Sequence, residues 1–292
     1  MNYGLPYMGS KNRLIEKIQK YFPKCIDNFY DLFAGGCAVT DYFLKHNTYK
    51  NYIVNDINSD IIQLYKNALN GKYKNEYNWI SKEEFFKKKE NDPFIKYCWS
   101  FGGMGKTYLY GDREKNKKAY HYAIVFNDWE LLKDINLNYK TEKDKLENIK
   151  EIKKRRLKFS ERIEHLERLE RIQSLEYKNN NIEFYNQEYN NIYIKENSLL
   201  YCDIPYKNTA DYLIDFDYDK FYDWCNKQKE LVIISEYNMP EDKFICIYQT
   251  ELMSTLKTNK KAIERLFIPK HQEKLYYRLM GNKIEQLNMF DN

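Results

Sequence analysis

Residues 28–71 follow an order of short apolar strands, a glycine turn and amphipathic helices that few folds share. Strands that alternate with helices are joined by crossover connections, so this order predicts a parallel sheet rather than hairpins. A glycine turn after the first strand and an acidic residue after the second are typical of doubly wound, nucleotide-binding sheets. The predicted elements are, in order, a strand over residues 28–33, a turn at Gly35-Gly36, a helix over 37–46, a strand over 52–54 ending at Asn55-Asp56, and a helix from about residue 58 to Gly71.

The same alternation returns after residue 185, which predicts that both segments build one α/β domain. The segment between them is rich in Lys and Glu and gives weak strand signals. We therefore expect a sheet domain formed by residues 1–80 and 186–292, interrupted by a mostly helical insert over residues 81–185. The later elements are predicted as a strand over residues 199–202, a helix over 219–229, a strand over 231–235, and strands over 244–248 and 274–278 that pair as a terminal hairpin.

One apolar pattern in the insert fits neither regular period. Ile or Leu stands at every third position, at 163, 166, 169, 172 and 175. A helix repeats roughly every 3.6 residues and a strand every two. A helix whose apolar face drifts around its axis and a short solenoid-like repeat both fit this spacing, so the sequence leaves the two open.

The composition is that of a globular protein with reduced thiols. Of the 292 residues, 43% are apolar and 31% are charged, enough for a sizeable core under a well-solvated surface. The six cysteines form no CxxC pair, and the four histidines show no metal-ligand spacing. We expect no metal, no secretory leader after Met1, no membrane segment and a cytoplasmic location. The net charge of +5 permits a nucleic-acid partner without requiring one.

The most specific motif is SLLYCDIPY, residues 198–206, in which a carboxylate, a rigid turn and an aromatic ring follow a buried strand. Ile204 precedes Pro205, so its backbone is pushed toward the extended region and its carbonyl can face out of the strand end. Asp203 and that carbonyl would offer two acceptors side by side, which suits an exocyclic amino group with two hydrogens. Tyr206 would stack on the planar base. The alternative is a proline turn that only caps the strand.

Two weaker motifs in the first segment carry both a functional and a structural interpretation. The glycines of DLFAGG, residues 31–36, let the backbone approach a ligand, or they form an ordinary strand-to-helix turn. Asp56 lies 25 residues past Asp31. At about this separation an acid binds ribose hydroxyls in nucleotide-binding folds, or it caps the following helix.

The N-terminal segment PYMGSKNRL, residues 6–14, is equally ambiguous. Tyr7 would cover a ring of a ligand, and Lys11 would pair with a carboxylate or phosphate. The structural alternative is a capped start to a helix over residues 11–21.

Taken in order, PYMGSK, FYDLFAGGCAV, NDIN and CDIPY resemble the D12 class of DNA N6-adenine methyltransferases, the group to which the Dam methylases belong. That family carries a glycine-rich loop for S-adenosylmethionine (SAM) and then a DPPY motif, with the target-recognition region between them. The resemblance covers about residues 1–75 and 185–280. It implies an α/β, Rossmann-like SAM-dependent methyltransferase sheet with an inserted, mostly helical target-recognition domain. One departure is plain, because Ile204 stands where the family has its first proline.

The resemblance also implies roles for the matching residues. Tyr7 and Lys11 would contact SAM, with Lys11 near its carboxylate, and Asp56 would bind the ribose. The methionine end of SAM would be lined by Phe33, Ala34, Gly35 and Gly36, and the catalytic motif would consist of Asp203, Ile204, Pro205 and Tyr206, with Asp203 also at the cofactor.

The implied activity is site-specific transfer of a methyl group from SAM to N6 of an adenine flipped out of duplex DNA. Accepting both N–H bonds at Asp203 and Ile204 would turn the nitrogen lone pair, otherwise delocalised into the ring, toward the sulfonium methyl. Orientation of the reactants is worth roughly 7 to 11 kcal/mol, and flipping the base costs a few kcal/mol. The alternatives are N4 of cytosine, adenine in RNA, and a DNA-binding protein with weakened or lost catalysis.

We expect the insert to bind DNA. The loop SFGGMGKTYLYG, residues 100–111, mixes glycines with Lys106 and Tyr108, as suits a loop that probes a groove. A cluster of basic residues would contact phosphates, or it would form a solvated helix face. Duplex DNA is the expected partner, a cognate restriction endonuclease is a further candidate, and we expect a monomer. The residues of the basic cluster are Lys153, Lys154, Arg155 and Arg156.

Overall fold

The computed structural model of this chain describes residues 2–176, 181–206, 216–253 and 261–281. Its strands are β1 Asn28–Asp31, β2 Asn51–Asn55, β3 Asn181–Tyr185, β4 Ser198–Asp203, β5 Leu231–Glu236, β6 Phe244–Met253 and β7 Lys261–Pro269. Within the described residues they form a seven-stranded sheet in the order β3-β2-β1-β4-β5-β7-β6. The first five strands of this order are parallel, whereas β7 is antiparallel to both β5 and β6. This mixed α/β sheet confirms the predicted Rossmann-like methyltransferase fold.

The strand order places a crevice at one point of the sheet. β1 pairs with β2 on one side and with β4 on the other. The chain builds outward from β1 to β3 and then returns at β4 to build in the opposite direction. In open parallel sheets, ligands bind at such a reversal, outside the carboxyl ends of the strands. Asp31 and Asp203, the last residues of β1 and β4, therefore lie where a ligand is expected to bind.

Helices connect the strands and fill most of the segment between β2 and β3. Side-chain caps explain where two of these helices begin. Ser81 and Glu84 form a reciprocal capping box at the start of one helix, and Asp92 caps the next. In the described ranges, no helix combines the length and apolarity that a membrane span requires. The α-helices, in chain order, are α1 Ile15–Ile18, α2 Ala38–Lys45, α3 Ser59–Leu69, α4 Lys82–Lys88, α5 Pro93–Cys98, α6 Glu114–Phe126, α7 Glu130–Lys133, α8 Tyr139–Leu146, α9 Ile152–Lys158, α10 Glu164–Gln173, α11 Tyr218–Lys227 and α12 Glu273–Met280.

Residue contacts divide the chain into two compact units. The first, which holds the sheet, contains residues 11–62 and the described residues from 178 onward; the second contains residues 2–10 and the described part of 63–177. The core of the first unit is built from the strands and α11, where Leu200, Val232 and Phe221 are fully buried. Every residue of β5 is buried, as expected for a central parallel strand covered on both faces.

The C-terminal hairpin differs from the prediction. β6 pairs with β7, and residues 274–278, which we predicted as a strand, lie in α12. Tyr276 and Met280 lie four residues apart and are both buried, so they share one face of a helix. Adjacent aromatic residues favour a strand locally. The helix forms because residues four positions apart are both buried in it. β7 escaped prediction because the charged Glu264 and Arg265 interrupt its apolar run.

β3 belongs to the sheet although the predicted insert extends to residue 185. It pairs in parallel with β2 along its whole length, so the chain rejoins the sheet before residue 186. None of its side chains is fully buried, which is usual for a strand at the edge of a sheet. Its apolar alternation consists only of Ile182 and Phe184, and that is too short a pattern to identify a strand.

The period-three run forms α10 and its flanks. Leu166, Leu169 and Ile172 are buried within the helix, and Ile163 and Leu175 are buried beside its ends. Each step of three residues turns the apolar stripe by about 60° around a helix axis. Ten residues are too few to carry the stripe out of the core. The helix interpretation is therefore correct, and the solenoid interpretation is wrong.

A buried chain of hydrogen bonds joins two histidines in the second unit. The Tyr110 hydroxyl accepts from the His165 backbone N–H at 3.2 Å and forms a second hydrogen bond, 2.6 Å long, with His165 Nδ1. His165 Nε2 lies 2.9 Å from His121 Nδ1, a hydrogen-bond distance. Trp99 stacks on His165 at 3.9 Å. Burial lowers the pKa of His121 to about 4 and holds the pKa of His165 well below its usual range.

This pair predicts acid-sensitive stability. Below about pH 6.5 an unfolded histidine takes up a proton that buried His121 refuses, so folding free energy is lost as the pH falls toward the native pKa. We expect His121 to contribute a loss of about 3 kcal/mol between those two pKa values, with a further loss from His165. Urea unfolding followed by tryptophan fluorescence should show the combined loss in wild type and a smaller loss in His121→Gln, which keeps only the contribution of His165. A similar pH dependence in both proteins would contradict the prediction, and His46→Gln, at an exposed histidine, is the control.

Candidate active site at the carboxyl ends of the strands

The glycine loop after β1 is fixed by hydrogen bonds to the end of β2. The Ala34 N–H donates to the Asn55 carbonyl at 2.9 Å, and the Gly35 N–H donates to Asp56 Oδ2 at 2.7 Å. Gly35 has a φ of +45°, a left-handed conformation that favours glycine. The shape of this loop is therefore set by the protein itself.

Four residues were predicted to line the methionine end of the cofactor. One of them, Phe33, has an aromatic side chain that packs against other rings. Its half-buried ring packs against Tyr189, Phe216 and Phe221 in the core of the first unit. Ala34 and Gly36 are buried, and Gly35 is half-buried. The contact of these four residues with a cofactor stays a prediction.

Asp56 accepts hydrogen bonds from the glycine loop and from the chain just before α3. One carboxylate oxygen accepts the Gly35 N–H, and the other accepts the Asn58 N–H at 2.8 Å, just before α3 begins. Burial raises the pKa of Asp56, and these two backbone donors lower it. A carboxylate offers about four acceptor positions, so Asp56 retains capacity for a ribose hydroxyl, and that role remains a prediction.

Asp31 is a site residue that the sequence did not single out. It ends β1 and is 1% exposed, and its Oδ2 accepts the Thr40 hydroxyl at 2.6 Å. Within the described residues its Oδ1 has no hydrogen-bond partner. Burial raises the pKa of Asp31 to about 7; the Thr40 hydroxyl lowers it, and the charges of Asp203 and Asp56 raise it. Acidic residues at strand ends are common, so the sequence alone does not mark Asp31 as a site residue. Its burial and its Oδ1 without a hydrogen-bond partner in the described residues do.

Lys11 holds the carboxylate of the CDIPY motif. Its Nζ lies 2.8 Å from Asp203 Oδ1, and their side chains are 9% and 20% exposed. This partner belongs to the protein, and the contact of Lys11 with a cofactor carboxylate stays a prediction. Residues 11–21 form the helical segment that the structural alternative predicted, as a 3-10 turn at Lys11–Arg13, the four-residue α1 and a second 3-10 turn at Gln19–Tyr21. Lys11 is the first residue of this segment, and it is buried.

Tyr206 is held at its hydroxyl by two charged groups. It accepts from Lys11 Nζ at 2.5 Å and donates to Glu264 Oε2 at 2.7 Å. Lys11 Nζ also lies 4.5 Å from the centre of the Tyr206 ring, and the Tyr237 ring meets it edge-on at 4.4 Å. Tyr206 is 8% exposed. Glu264 was missed because it lies on β7, which was not predicted.

The residue that replaces the family's first proline is part of the core. Ile204 is 1% exposed and packs with Cys202, Val232 and their neighbours. The Pro205 carbonyl accepts the Tyr218 hydroxyl at 2.9 Å. No described residue follows a cis peptide bond, which excludes a cis-proline turn at residue 205. An aliphatic side chain suits this buried position, and the role of the Ile204 carbonyl stays a prediction.

The group of Lys11, Asp203 and Glu264 carries one positive and two negative charges in a mostly buried place. Burial raises the pKa of Asp203, Lys11 lowers it and Glu264 raises it. An ionised Asp203 can accept a hydrogen bond from an amine while Lys11 fixes its orientation. Acid that protonates Asp203 would remove the negative charge that strengthens this acceptor and pairs with Lys11.

Tyr7 and part of the predicted DNA-contacting set lie in the second unit. The Tyr7 ring meets Tyr97 edge-on at 5.7 Å, and its contact with a cofactor stays a prediction. Tyr108 is 6% exposed and its hydroxyl donates to the Ile80 carbonyl. The Tyr108 side chain therefore packs inside its own unit, and its contact with DNA stays a prediction.

The basic cluster also divides between surface and interior. Arg155 is 5% exposed and donates to backbone carbonyls, including that of Ile124 at 2.8 Å. Arg156 forms a two-point ion pair with Glu170 at 2.6 and 2.8 Å. α9 thus turns both arginines toward the protein, and their contact with DNA stays a prediction. Lys106, Lys153 and Lys154 are exposed, and Lys154 pairs with Glu151.

Comparison with known proteins agrees with this geometry. The family model described as D12 class N6 adenine-specific DNA methyltransferase matches residues 7–259. The Type II methyltransferase M.CviBI of Paramecium bursaria Chlorella virus NC1A is 22% identical over 148 residues, which are 44% of this chain and 56% of that protein. The Type II methyltransferase M.MjaIII of Methanocaldococcus jannaschii is 25% identical over 140 residues, 39% of this chain and 48% of that protein.

These alignments span about half the length of the two relatives. The family match covers most of the chain, including the glycine loop, Asp56 and the CDIPY motif. The strand order and the clustered strand-end carboxylates independently suit that assignment. This chain belongs to the D12 class of N6 adenine-specific DNA methyltransferases.

Proposed function

We propose that this protein transfers a methyl group from SAM to N6 of an adenine flipped out of duplex DNA. The observation that carries the proposal is Asp203, a carboxylate at the end of β4 that Lys11 holds in place at 2.8 Å. It lies beside Pro205 and Tyr206 at the reversal of strand order, where ligands of such sheets bind. Family membership supplies the substrate class.

The residues at the strand ends suit a cofactor that carries positive charge. Asp31 has a buried oxygen without a hydrogen-bond partner in the described residues, and Asp56 and Asp203 are close enough to raise its pKa. An ammonium or sulfonium group would compensate these carboxylates. When bound, SAM supplies an electrophilic methyl group on a sulfonium. We assign Asp31, the glycine loop and Asp56 to holding the cofactor.

Asp203 and Ile204 act on the adenine amine. Lys11 occupies one position at Asp203 Oδ1, and the carboxylate retains further acceptor positions for an N–H bond. The Ile204 carbonyl accepts the second N–H, which releases the nitrogen lone pair from the ring. Tyr206 stacks on the base, worth about 1–3 kcal/mol. Because the residue is 8% exposed, stacking requires Lys11 or the Tyr237 ring to move from its position at Tyr206.

We assign target recognition to the second unit. Exposed Lys106, Lys153 and Lys154 would contact phosphates, which position a protein on DNA without reading sequence. Phe101 and Met104 are exposed apolar side chains in the glycine-rich loop, at 64% and 39%. A cognate restriction endonuclease and a monomeric enzyme remain part of the proposal.

The decisive experiment is a methyl-transfer assay with nucleoside analysis. Purified protein is incubated with labelled SAM and plasmid DNA from a host without methylases, and the digested nucleosides are resolved by mass spectrometry. We expect 6-methyladenine. The finding of 4-methylcytosine alone would overturn the base assignment, and SAM and DNA binding without any transfer would indicate a protein without catalysis. Sequencing that detects modified bases would then give the recognition site.

A further inference from the structure

Glu264 is a buried carboxylate that has no assigned role in the proposed reaction. It lies on β7, where the next residue, Arg265, is level with Glu236 at the end of β5. Because β7 runs antiparallel to β5, Glu264 extends one residue past that end. In the same sheet Asp203 is level with Ser235. β7 therefore carries Glu264 beyond the carboxyl ends of the strands, to the edge where the site lies.

The contacts of Glu264 join it to the CDIPY motif. The Tyr206 hydroxyl donates to its Oε2 at 2.7 Å, and Lys11 Nζ lies 3.8 Å from the same oxygen. Lys11 in turn donates to Tyr206 at 2.5 Å and pairs with Asp203 at 2.8 Å. Glu264 is 7% exposed. A carboxylate buried to this extent is stable only where donors and cations compensate it, so the four side chains depend on one another.

We propose that Glu264 is a positioning residue for methyl transfer, whose carboxylate fixes the Tyr206 hydroxyl and, through Lys11, the orientation of Asp203. This inference rests on the proposed function. A tyrosine ring attached at one end to the backbone is free to turn, and a hydrogen bond at its hydroxyl fixes the other end. Without Glu264, Tyr206 loses this acceptor and Lys11 loses a neighbouring carboxylate. The expected defect is in rate, because orientation is realised in the transition state.

Two substitutions separate the hydrogen bond from the charge. Glu264→Gln keeps an oxygen that accepts from Tyr206 but removes the charge that Lys11 shares, and Glu264→Ala removes both. We expect kcat to fall roughly 10-fold in Glu264→Gln and roughly 100-fold in Glu264→Ala, the scale of a misplacement near 1 Å. SAM affinity and KM for DNA should stay near wild type. Glu251→Gln, at an exposed carboxylate on the neighbouring β6, is the matched control and should keep its kcat.

A double-mutant cycle tests the route through Tyr206. Tyr206→Phe removes the hydroxyl and keeps the ring. If Glu264 acts through that hydroxyl, the Glu264→Gln/Tyr206→Phe double variant loses little more kcat than the worse single variant. Losses that multiply would overturn the inference, as would a wild-type kcat in Glu264→Ala or a defect confined to KM.

The pH profile gives a readout that a purely structural role would not move. The negative charge of Glu264 raises the pKa of Asp203, so Glu264→Gln should shift the acidic limb of the kcat profile to lower pH. An unshifted limb would contradict the inference.

Crystal structures of wild type and Glu264→Ala separate this inference from the proposed function. We expect the Tyr206 hydroxyl and Lys11 Nζ to move apart in the variant, whether or not the protein methylates DNA. An unchanged arrangement would overturn the positioning role even in an active enzyme. A wild-type protein without methyl transfer would overturn the proposed function even if this arrangement depends on Glu264.

Discussion

Replacing Asp203 with alanine is expected to abolish methyl transfer while the variant still folds and binds SAM with weakened affinity. The substitution removes one of the two acceptors for the adenine amine, so the nitrogen lone pair stays delocalised in the ring. Loss of a single preorganised hydrogen-bonding group at a reaction centre lowers kcat by about 100- to 1,000-fold, and we expect the upper end. Incorporation of labelled methyl groups at saturating SAM measures the loss, and calorimetric titration measures the retained SAM binding.

Two further variants make this result interpretable. Asp203→Asn keeps an acceptor oxygen but loses the charge that pairs with Lys11, so we expect a defect smaller than that of alanine. Asp219→Ala removes an exposed carboxylate from the first turn of α11 and should leave the rate unchanged. Activity of Asp203→Ala close to wild type would exclude the proposed mechanism.

Replacing Lys11 with methionine is expected to destabilise the first unit by about 3 kcal/mol and to abolish activity, because breaking a buried ion pair leaves charge without compensation. The carboxylates of Asp203 and Glu264, both largely buried, would face each other without the ammonium between them. Lys11 lowers the pKa of Asp203, so in its absence Asp203 takes up a proton at higher pH. The destabilisation should therefore be largest near neutral pH and should shrink in mild acid.

Urea unfolding of Lys11→Met and wild type across this pH range measures the effect. Lys50→Met breaks the exposed ion pair with Asp27 and serves as the control, and its unfolding should follow wild type closely. A Lys11→Met variant as stable as wild type near neutral pH would show that the ammonium does not hold the two carboxylates.

The elements with a complete local signature were predicted correctly. The glycine turn after β1, the strand that ends at Asp203 and the apolar β5 all lie where the sequence places them. Each is defined by neighbouring residues, because backbone freedom, strand propensity and proline restriction act within a few positions. The order of these local motifs was enough to indicate the methyltransferase family.

The basic cluster shows what a local pattern leaves undecided. Four consecutive basic residues were predicted to contact DNA, but α9 directs Arg155 to backbone carbonyls and Arg156 to Glu170. Which basic residues face solvent depends on the phase of the helix and on the acids opposite it. Neither is visible in the composition of the segment.

By itself, the sequence determined strands β1, β2, β4 and β5, the glycine loop and the Asp203 motif, because each depends on residues adjacent in the chain. Only the tertiary structure brought Lys11 to Tyr206, 195 positions away, and Glu264 to the same hydroxyl across 58 positions. It also buried Asp31 at the meeting point of three strands. Charge compensation in a buried site depends on distance in space and on exclusion of water, and both exist only after the strands have paired.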